Sequence, residues 1–262
     1  MALYTGNIKF TATDTEPTSD KGRLYYDNSE AQLKHYDGDD WLRVNQTLNY
    51  DRPGDGQYAA DAYTKLLIHS NTSNGSTTFA DSSGENATIT RTGNVDHRNA
   101  QFKLGATSIY FDGNGSYHLN VPDSTNWDLG TLFTIDFWIY ITDMGNWDKP
   151  VEHNDSTPPH SGWYIAYDTT NIYFYNDDNT QKFIEPHSMS EDRWHHLAFI
   201  GDGTSFKVYV DGISIGSETV FTIQAGAESL RINGGGSPIE GYMDEFRISK
   251  NIARWTSNFT VY

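Results

Sequence analysis

The chain has 262 residues, a formal charge of −17 and no cysteine. That length suits one large β-sandwich plus a small accessory unit better than two equal domains. The absent thiols remove disulfide frameworks and thiolate metal sites from consideration. The carboxylate excess argues against nucleic acid or anionic lipid as partners, because binding either draws on a dense cationic patch.

Aromatic residues at 14%, with 23 Gly and 8 Pro, favour strands joined by tight turns and indicate an all-β class. Residues 1–10 lack an apolar signal core, and no stretch approaches the length of a membrane span, so the expectation is cytoplasmic synthesis without membrane insertion. Residues 21–27 and 32–37 are short aromatic runs separated by a turn-like Asn28-Ser-Glu, which predicts a β-hairpin within residues 1–47. The motifs GRLYYD at 22–27 and LKHYDGDDW at 33–41 resemble a short repeat near the N-termini of phage tail-fibre and other virion proteins. That resemblance implies a small β element attaching a larger domain to other virion proteins. Residues 48–60 gather turn formers without alternation and read as a linker.

From residue 61 to 262 candidate strands recur with turn signals between them: 65–69, 87–90, 108–111, 117–121, 133–141, 163–166, 171–175, 194–200, 206–210, 230–232 and 241–248. So many short strands without a helical period predict a two-sheet antiparallel sandwich. Period-two parity places Phe133, Ile135, Phe137, Ile139 and Ile141 on a core face. Asp211-Gly-Ile213 reads as a hairpin turn.

Across roughly 61–256 the ordered motifs KLLIH (65–69), FADSSG (79–84), GATSIYFDG (105–113), FTIDFW (133–138), WHHLA (194–198), VYVDG (208–212) and GYMDEFRIS (241–249) resemble the laminin-G-like branch of the concanavalin A-like lectin/glucanase superfamily. The resemblance implies a jelly-roll sandwich that commonly binds glycans or proteins and often holds calcium. Fold and function separate readily in such architectures, so the ligand has to be argued from the sites.

Some relatives hydrolyse polysaccharides with a Glu-X-Asp pair, which is absent here; the expectation is a protein that is not an enzyme. His195 and His196 alternate to opposite faces and read as structural. Parity across 242–248 puts Asp244 inward with Tyr242, Phe246 and Ile248, where an unpaired carboxylate is costly. Its partner is either a calcium ion completed by Asn71 and Asp81, as the family implies, or capping backbone amides or a Tyr hydroxyl. Trp138, Tyr140, Trp163, Tyr173 and Tyr175 are assigned to faces opposite the core. They suit a glycan-binding groove, or else a face covered by loops, hairpin or a second subunit. The polar segment 146–160 is a second recognition candidate, while His153 and His160 are too isolated for zinc.

The composite expectation is a phage virion structural protein, a tail fibre or appendage, made in the host cytoplasm and released by lysis. Its lectin-like sandwich would bind host-surface glycan as a homo-oligomer. The alternative is a capsid decoration or cement protein that uses the sandwich for subunit contacts.

Overall fold

A computed structural model describes residues 58–154, 161–176, 180–223, 225–234 and 236–261, together with the backbone of four short strands between 12 and 43. The chain divides into two units, Met1–Asp55 and Gly56–Tyr262. In the first, β1 (Ala12–Thr13), β2 (Leu24–Asp27), β3 (Gln32–Tyr36) and β4 (Trp41–Arg43) form one sheet in that order. The expected hairpin is the antiparallel β2–β3 pair, with Leu24 opposite His35 and Asp27 opposite Gln32. β4 extends it antiparallel and β1 adds a parallel edge. Residues 48–57 of the expected linker lie outside the described residues.

The second unit contains β5 (Thr64–Ile68), β6 (Thr90–Thr92), β7 (Asp96–Arg98), β8 (Ser108–Asp112), β9 (His118–Val121), β10 (Leu132–Asp143), β11 (Asp148–Asn154), β12 (Gly162–Tyr167), β13 (Asn171–Asn176), β14 (Thr180–Pro186), β15 (Trp194–Asp202), β16 (Ser205–Val210), β17 (Ile213–Thr219), β18 (Leu230–Ile232) and β19 (Glu240–Lys250). They form the predicted antiparallel sandwich. One sheet runs β17-β16-β15-β10-β19-β8-β7, with β5 pairing the far half of β19; the other runs β14-β13-β12-β11-β18-β9-β6. The inward aliphatic face of β10 is almost completely dry: Phe133, Ile135, Phe137, Ile139 and Ile141 are at most 1% exposed. Phe174 of the opposite sheet meets this layer, 6.3 Å from Phe199 and 4.9 Å from Phe206. Each such side chain contributes about 1.5–3 kcal/mol, so a one-residue slip of β10 that drove Asp136 into the core would be prohibitive.

The other face of β10 is also covered, which alternation alone does not predict. Tyr58 and Leu104 pack on Trp138, while Ala253, Trp255 and Phe259 pack on Ala198, Ile200 and Tyr209. Backbone bonds fix this strap, since Phe259 N donates to Gly212 O at 2.9 Å and Arg254 N donates to Thr134 Oγ1 at 3.0 Å.

The β16–β17 hairpin closes on Asp211 and Gly212 at φ 51° and 76°, a two-residue turn with both positions left-handed, which matches the right-handed twist of its strands. A Cβ on Gly212 would sit 2.0 Å from the Phe259 carbonyl oxygen. Gly212→Ala is therefore expected to lower the unfolding free energy by about 2 kcal/mol or more, read as a fall in the urea midpoint; an unchanged midpoint would show that the strap is not anchored there.

β19 corrects one expectation. Arg247 pairs Asp136 but Asp244 pairs Trp138, so Glu245 and Phe246 together oppose Phe137. This is a β-bulge, with Glu245 at φ 51°, and it resets the alternation within the strand. Phe246 and Ile248 stay in the core with Met243. Tyr242 and Asp244 instead share the outer face with their partners Tyr140 and Trp138.

Candidate functional site

The outer face of the seven-stranded sheet carries a continuous row of register partners. Gln181, Tyr175, Tyr164, Glu152, Arg231, Asn120 and Thr90 follow one another across β14, β13, β12, β11, β18, β9 and β6. Their strand neighbours Phe174, Ile165, Val151, Ile232 and Leu119 point into the core, so the row is fixed by the same parity that closes the sandwich.

One half of the row is aromatic. The Tyr164 and Tyr175 rings stack at 4.7 Å with 5° between planes. Trp147, just before β11, lies 4.7 Å from Tyr173 and meets Tyr175 edge-on at 5.8 Å. The Tyr173 hydroxyl donates to Asp168 Oδ2 at 2.7 Å and the Tyr175 hydroxyl to Gln181 Oε1 at 3.1 Å. Burial, then the neighbouring Tyr175 and Glu152, push the Tyr164 hydroxyl pKa well above its ordinary value. It therefore remains a hydrogen-bond donor throughout the physiological range.

The other half is charged. Glu152, 8% exposed at its side chain, sits between two cations: Lys149 Nζ is 2.8 Å from Oε2 and Arg231 Nη1 is 3.5 Å from Oε1. Lys149 also lies 5.4 Å from the Tyr164 ring centroid. His118, on the same face of β9 as Asn120, has its pKa lowered first by burial and then by the Arg231 charge, which keeps its imidazole neutral near pH 7. Phenolic hydroxyls, an amide, a guanidinium and aromatic edges along one rigid line are the groups that hold a polyhydroxylated ligand.

Of the five aromatics expected from sequence, only Tyr173 and Tyr175 belong to this face. Trp163 is 0% exposed; it shares the inward parity of Ile165 and donates from Nε1 to Trp127 O at 2.9 Å. Trp138 and Tyr140 lie on the other sheet. Trp138 is 3% exposed beneath Tyr58 and Leu104, with Lys103 Nζ 4.0 Å from its ring centroid. Tyr140 is half-buried in a second row with Trp194, Tyr242 and Tyr110. Segment 146–160 is not a free loop: residues 148–154 are β11, His153 is buried with Nε2 3.1 Å from Asp123 Oδ1, and residues 155–160, including His160, lie outside the described residues. Sequence reasoning missed Tyr164, Lys149, Glu152, Arg231 and His118 because the strand order that assembles them is not local.

The three residues proposed for calcium do not fit an ion site. Asp244 Oδ2 accepts from the backbone amides of Lys103 and Leu104, both at 3.0 Å, and Oδ1 from that of Glu245. Asp81 accepts from Leu67 N, Ser83 N, Ser83 Oγ and Ala87 N. Asn71 packs against Gly105. Both carboxylates are thus engaged by the chain's own donors; for Asp244 this is the capping alternative weighed from the sequence. Among the described residues no group of three or more His, Asp or Glu is arranged to hold a metal.

A family model described as the concanavalin A-like lectin/glucanases superfamily matches residues 111–254, more than half of the 262-residue chain. No curated protein sequence matches the chain. Among solved structures, domain 4 of AbnA, a GH43 extracellular arabinanase from Geobacillus stearothermophilus, in complex with arabinotriose, is similar with TM-score 0.54 and 20% identity, over 72% of this chain and 93% of that one. The binding domain of botulinum neurotoxin DC in complex with SialylT is similar with TM-score 0.55 and 19% identity, over 71% of this chain and 47% of that one. The botulinum neurotoxin type G receptor binding domain gives TM-score 0.54 and 15% identity, over 72% and 48%. This chain therefore spans about half the length of the neurotoxin domains it matches.

Proposed function

Since the chain belongs to the concanavalin A-like lectin/glucanase superfamily, we propose that its sandwich is a carbohydrate-binding module whose contact surface is the outer face of the seven-stranded sheet. The observation that carries this reading is the unbroken register row from Gln181 to Thr90, with stacked tyrosines beside a lysine–glutamate–arginine cluster. The arabinotriose and SialylT in the names of two structural neighbours support a sugar as ligand class. The role is binding without catalysis, supported by the missing Glu-X-Asp pair.

The experiment is titration calorimetry against a panel of oligosaccharides, with Trp147→Ala and Tyr164→Ala beside the parent protein. Loss of either ring is expected to weaken binding about five- to thirtyfold with little change in folding, since each aromatic contact contributes on the order of 1–2 kcal/mol. Unchanged affinity in both variants would move the contact surface elsewhere.

We further propose that the module is displayed on a phage virion as part of a homo-oligomeric appendage, joined to other virion proteins through the first unit and contacting host-surface glycan. The support is the resemblance of residues 22–41 to the N-terminal repeat of virion proteins. A cryo-electron-microscopy reconstruction of particles tests it: a position at a fibre or spike tip with the tyrosine row open to solvent is expected. A position among coat subunits would point to a capsid decoration protein instead.

A further inference from the structure

The charged half of the row holds an imbalance that the carbohydrate reading does not use. Lys149 lies within 2.8 Å of Glu152 and neutralises it, while Arg231 stands farther away, at 3.5 Å from the other carboxylate oxygen. Two cations face one carboxylate. Arg231 makes no hydrogen bond to any described residue, and its Nε is buried without a partner. A guanidinium presents five N–H donors in a rigid fork matched to planar or tetrahedral oxyanions, and here, among the described residues, it is engaged only through Nη1 by the Glu152 carboxylate.

Position makes this more than a stray surface arginine. Arg231 stands on β18, held between Glu152 of β11 and Asn120 of β9, in the interior of the sheet and not at an edge. Its side chain is 39% exposed, so the head group reaches solvent while the stem is anchored. The Asn120 side-chain amide also makes no hydrogen bond to any described residue. His118 Nδ1, on the same face, is buried and unpartnered. With strands about 4.8 Å apart, Asn120 to Tyr175 spans roughly 20 Å, enough for an extended oligosaccharide to meet the fork and the tyrosines together. The protein as a whole carries −17 and repels anions at long range, so an anion held here is held by short-range, bidentate contact.

We infer that Arg231 is an oxyanion receptor within the glycan-binding face, so that the preferred ligand is an acidic oligosaccharide. Its carboxylate or sulfate ester fills the guanidinium fork while neighbouring sugar rings lie along Asn120, Tyr164 and Tyr175. This rests on the carbohydrate reading above and narrows its ligand class.

The test is calorimetry on the full chain with four probes: an oligogalacturonate, the same oligosaccharide with its carboxylates methyl-esterified, a sulfated oligosaccharide and a neutral arabino-oligosaccharide. At least one acidic probe is expected to bind at least tenfold tighter than the neutral ones, and the tighter of the two identifies carboxylate or sulfate as the source. Arg231→Gln is expected to erase that preference, weakening the acidic probe far more than the neutral one, and Arg231→Lys, which keeps charge but not the fork, to restore it only in part. Failure of both acidic probes to bind more tightly than the neutral ones, or a preference that survives Arg231→Gln, would overturn the oxyanion receptor and leave the carbohydrate reading standing. No binding of any probe would overturn both.

Discussion

Replacing Arg247 with methionine is expected to lower the unfolding free energy by about 3–5 kcal/mol, the range for removing one partner of a buried ion pair. Both members are completely enclosed on the outer face of the eight-stranded sheet. Arg247 Nε donates to Asp136 Oδ1 at 2.9 Å and Nη2 to Oδ2 at 2.8 Å, a bidentate pair. Burial would by itself push the Asp136 pKa up, but the Arg247 charge outweighs it and holds the carboxyl below its ordinary value. Without the guanidinium, that carboxylate keeps, among the described residues, only His196, whose Nε2 is 3.6 Å away. The surrounding rings cannot compensate: Tyr58 lies 4.9 Å and Trp255 5.8 Å from the Arg247 guanidinium carbon, and both face a cation. A double variant, Asp136→Leu with Arg247→Met, is expected to recover most of the loss, because two apolar groups leave no unpaired charge. Urea denaturation of the three proteins at pH 7 decides the matter, and a single variant as stable as the parent would contradict the buried-pair account.

The second large effect is a pH dependence centred on Asp244. Burial, and then the charge of Glu245, raise its pKa from 3.8 to about 7. Glu245 in turn lies 2.5 Å from His69 Nδ1. A carboxyl with a raised folded-state pKa binds its proton more tightly in the folded chain than in the unfolded one. Its contribution is therefore favourable below the unfolded value and declines as pH rises from about 4 to about 7. A rise from 3.8 to about 7 corresponds to on the order of 4 kcal/mol. Asp244→Asn removes that titration, so the stability difference between variant and parent is expected to move by this order in the variant's favour between pH 4 and pH 8. Comparing the two proteins cancels the opposing slope from His97, His118, His153 and His187, whose pKa values burial lowers. A pH-independent difference would place Asp244 outside the titrating groups.

Most strand positions along the chain and the inward face of β10 were legible because each depends on a single periodic run. Asp211-Gly212 was legible for a related reason, since a left-handed two-residue turn has a compositional signature. β19 shows where parity fails: the bulge at Glu245 inserts one residue and reverses the face of Tyr242 and Asp244 relative to Phe246. Nothing in the run GYMDEFRIS marks that insertion. Likewise β11, with Asp, Lys, Glu and Asn along it, reads as a polar loop, although its outward polar residues are what build the site. Glu152 and Arg231 lie far apart in sequence and meet only because β18 inserts between β9 and β11. No local pattern carries that information, so the sequence pointed to Tyr173 and Tyr175 on this face and not to their charged neighbours.

The place of β19 has a consequence for how the protein is made. It is the last strand of the sandwich in sequence, yet it lies inside the eight-stranded sheet, pairing β10 on one side and both β5 and β8 on the other. As the chain leaves the ribosome, β5, β8 and β10 emerge with their hydrogen-bonding edges toward a strand that has not yet been synthesised. The eight-stranded sheet is completed only after residue 250 has been released, so its assembly is dominated by long-range pairings that form late and slowly. Until then the nascent sandwich exposes open strand edges and an unfilled apolar core, the state most prone to pairing with a neighbouring copy.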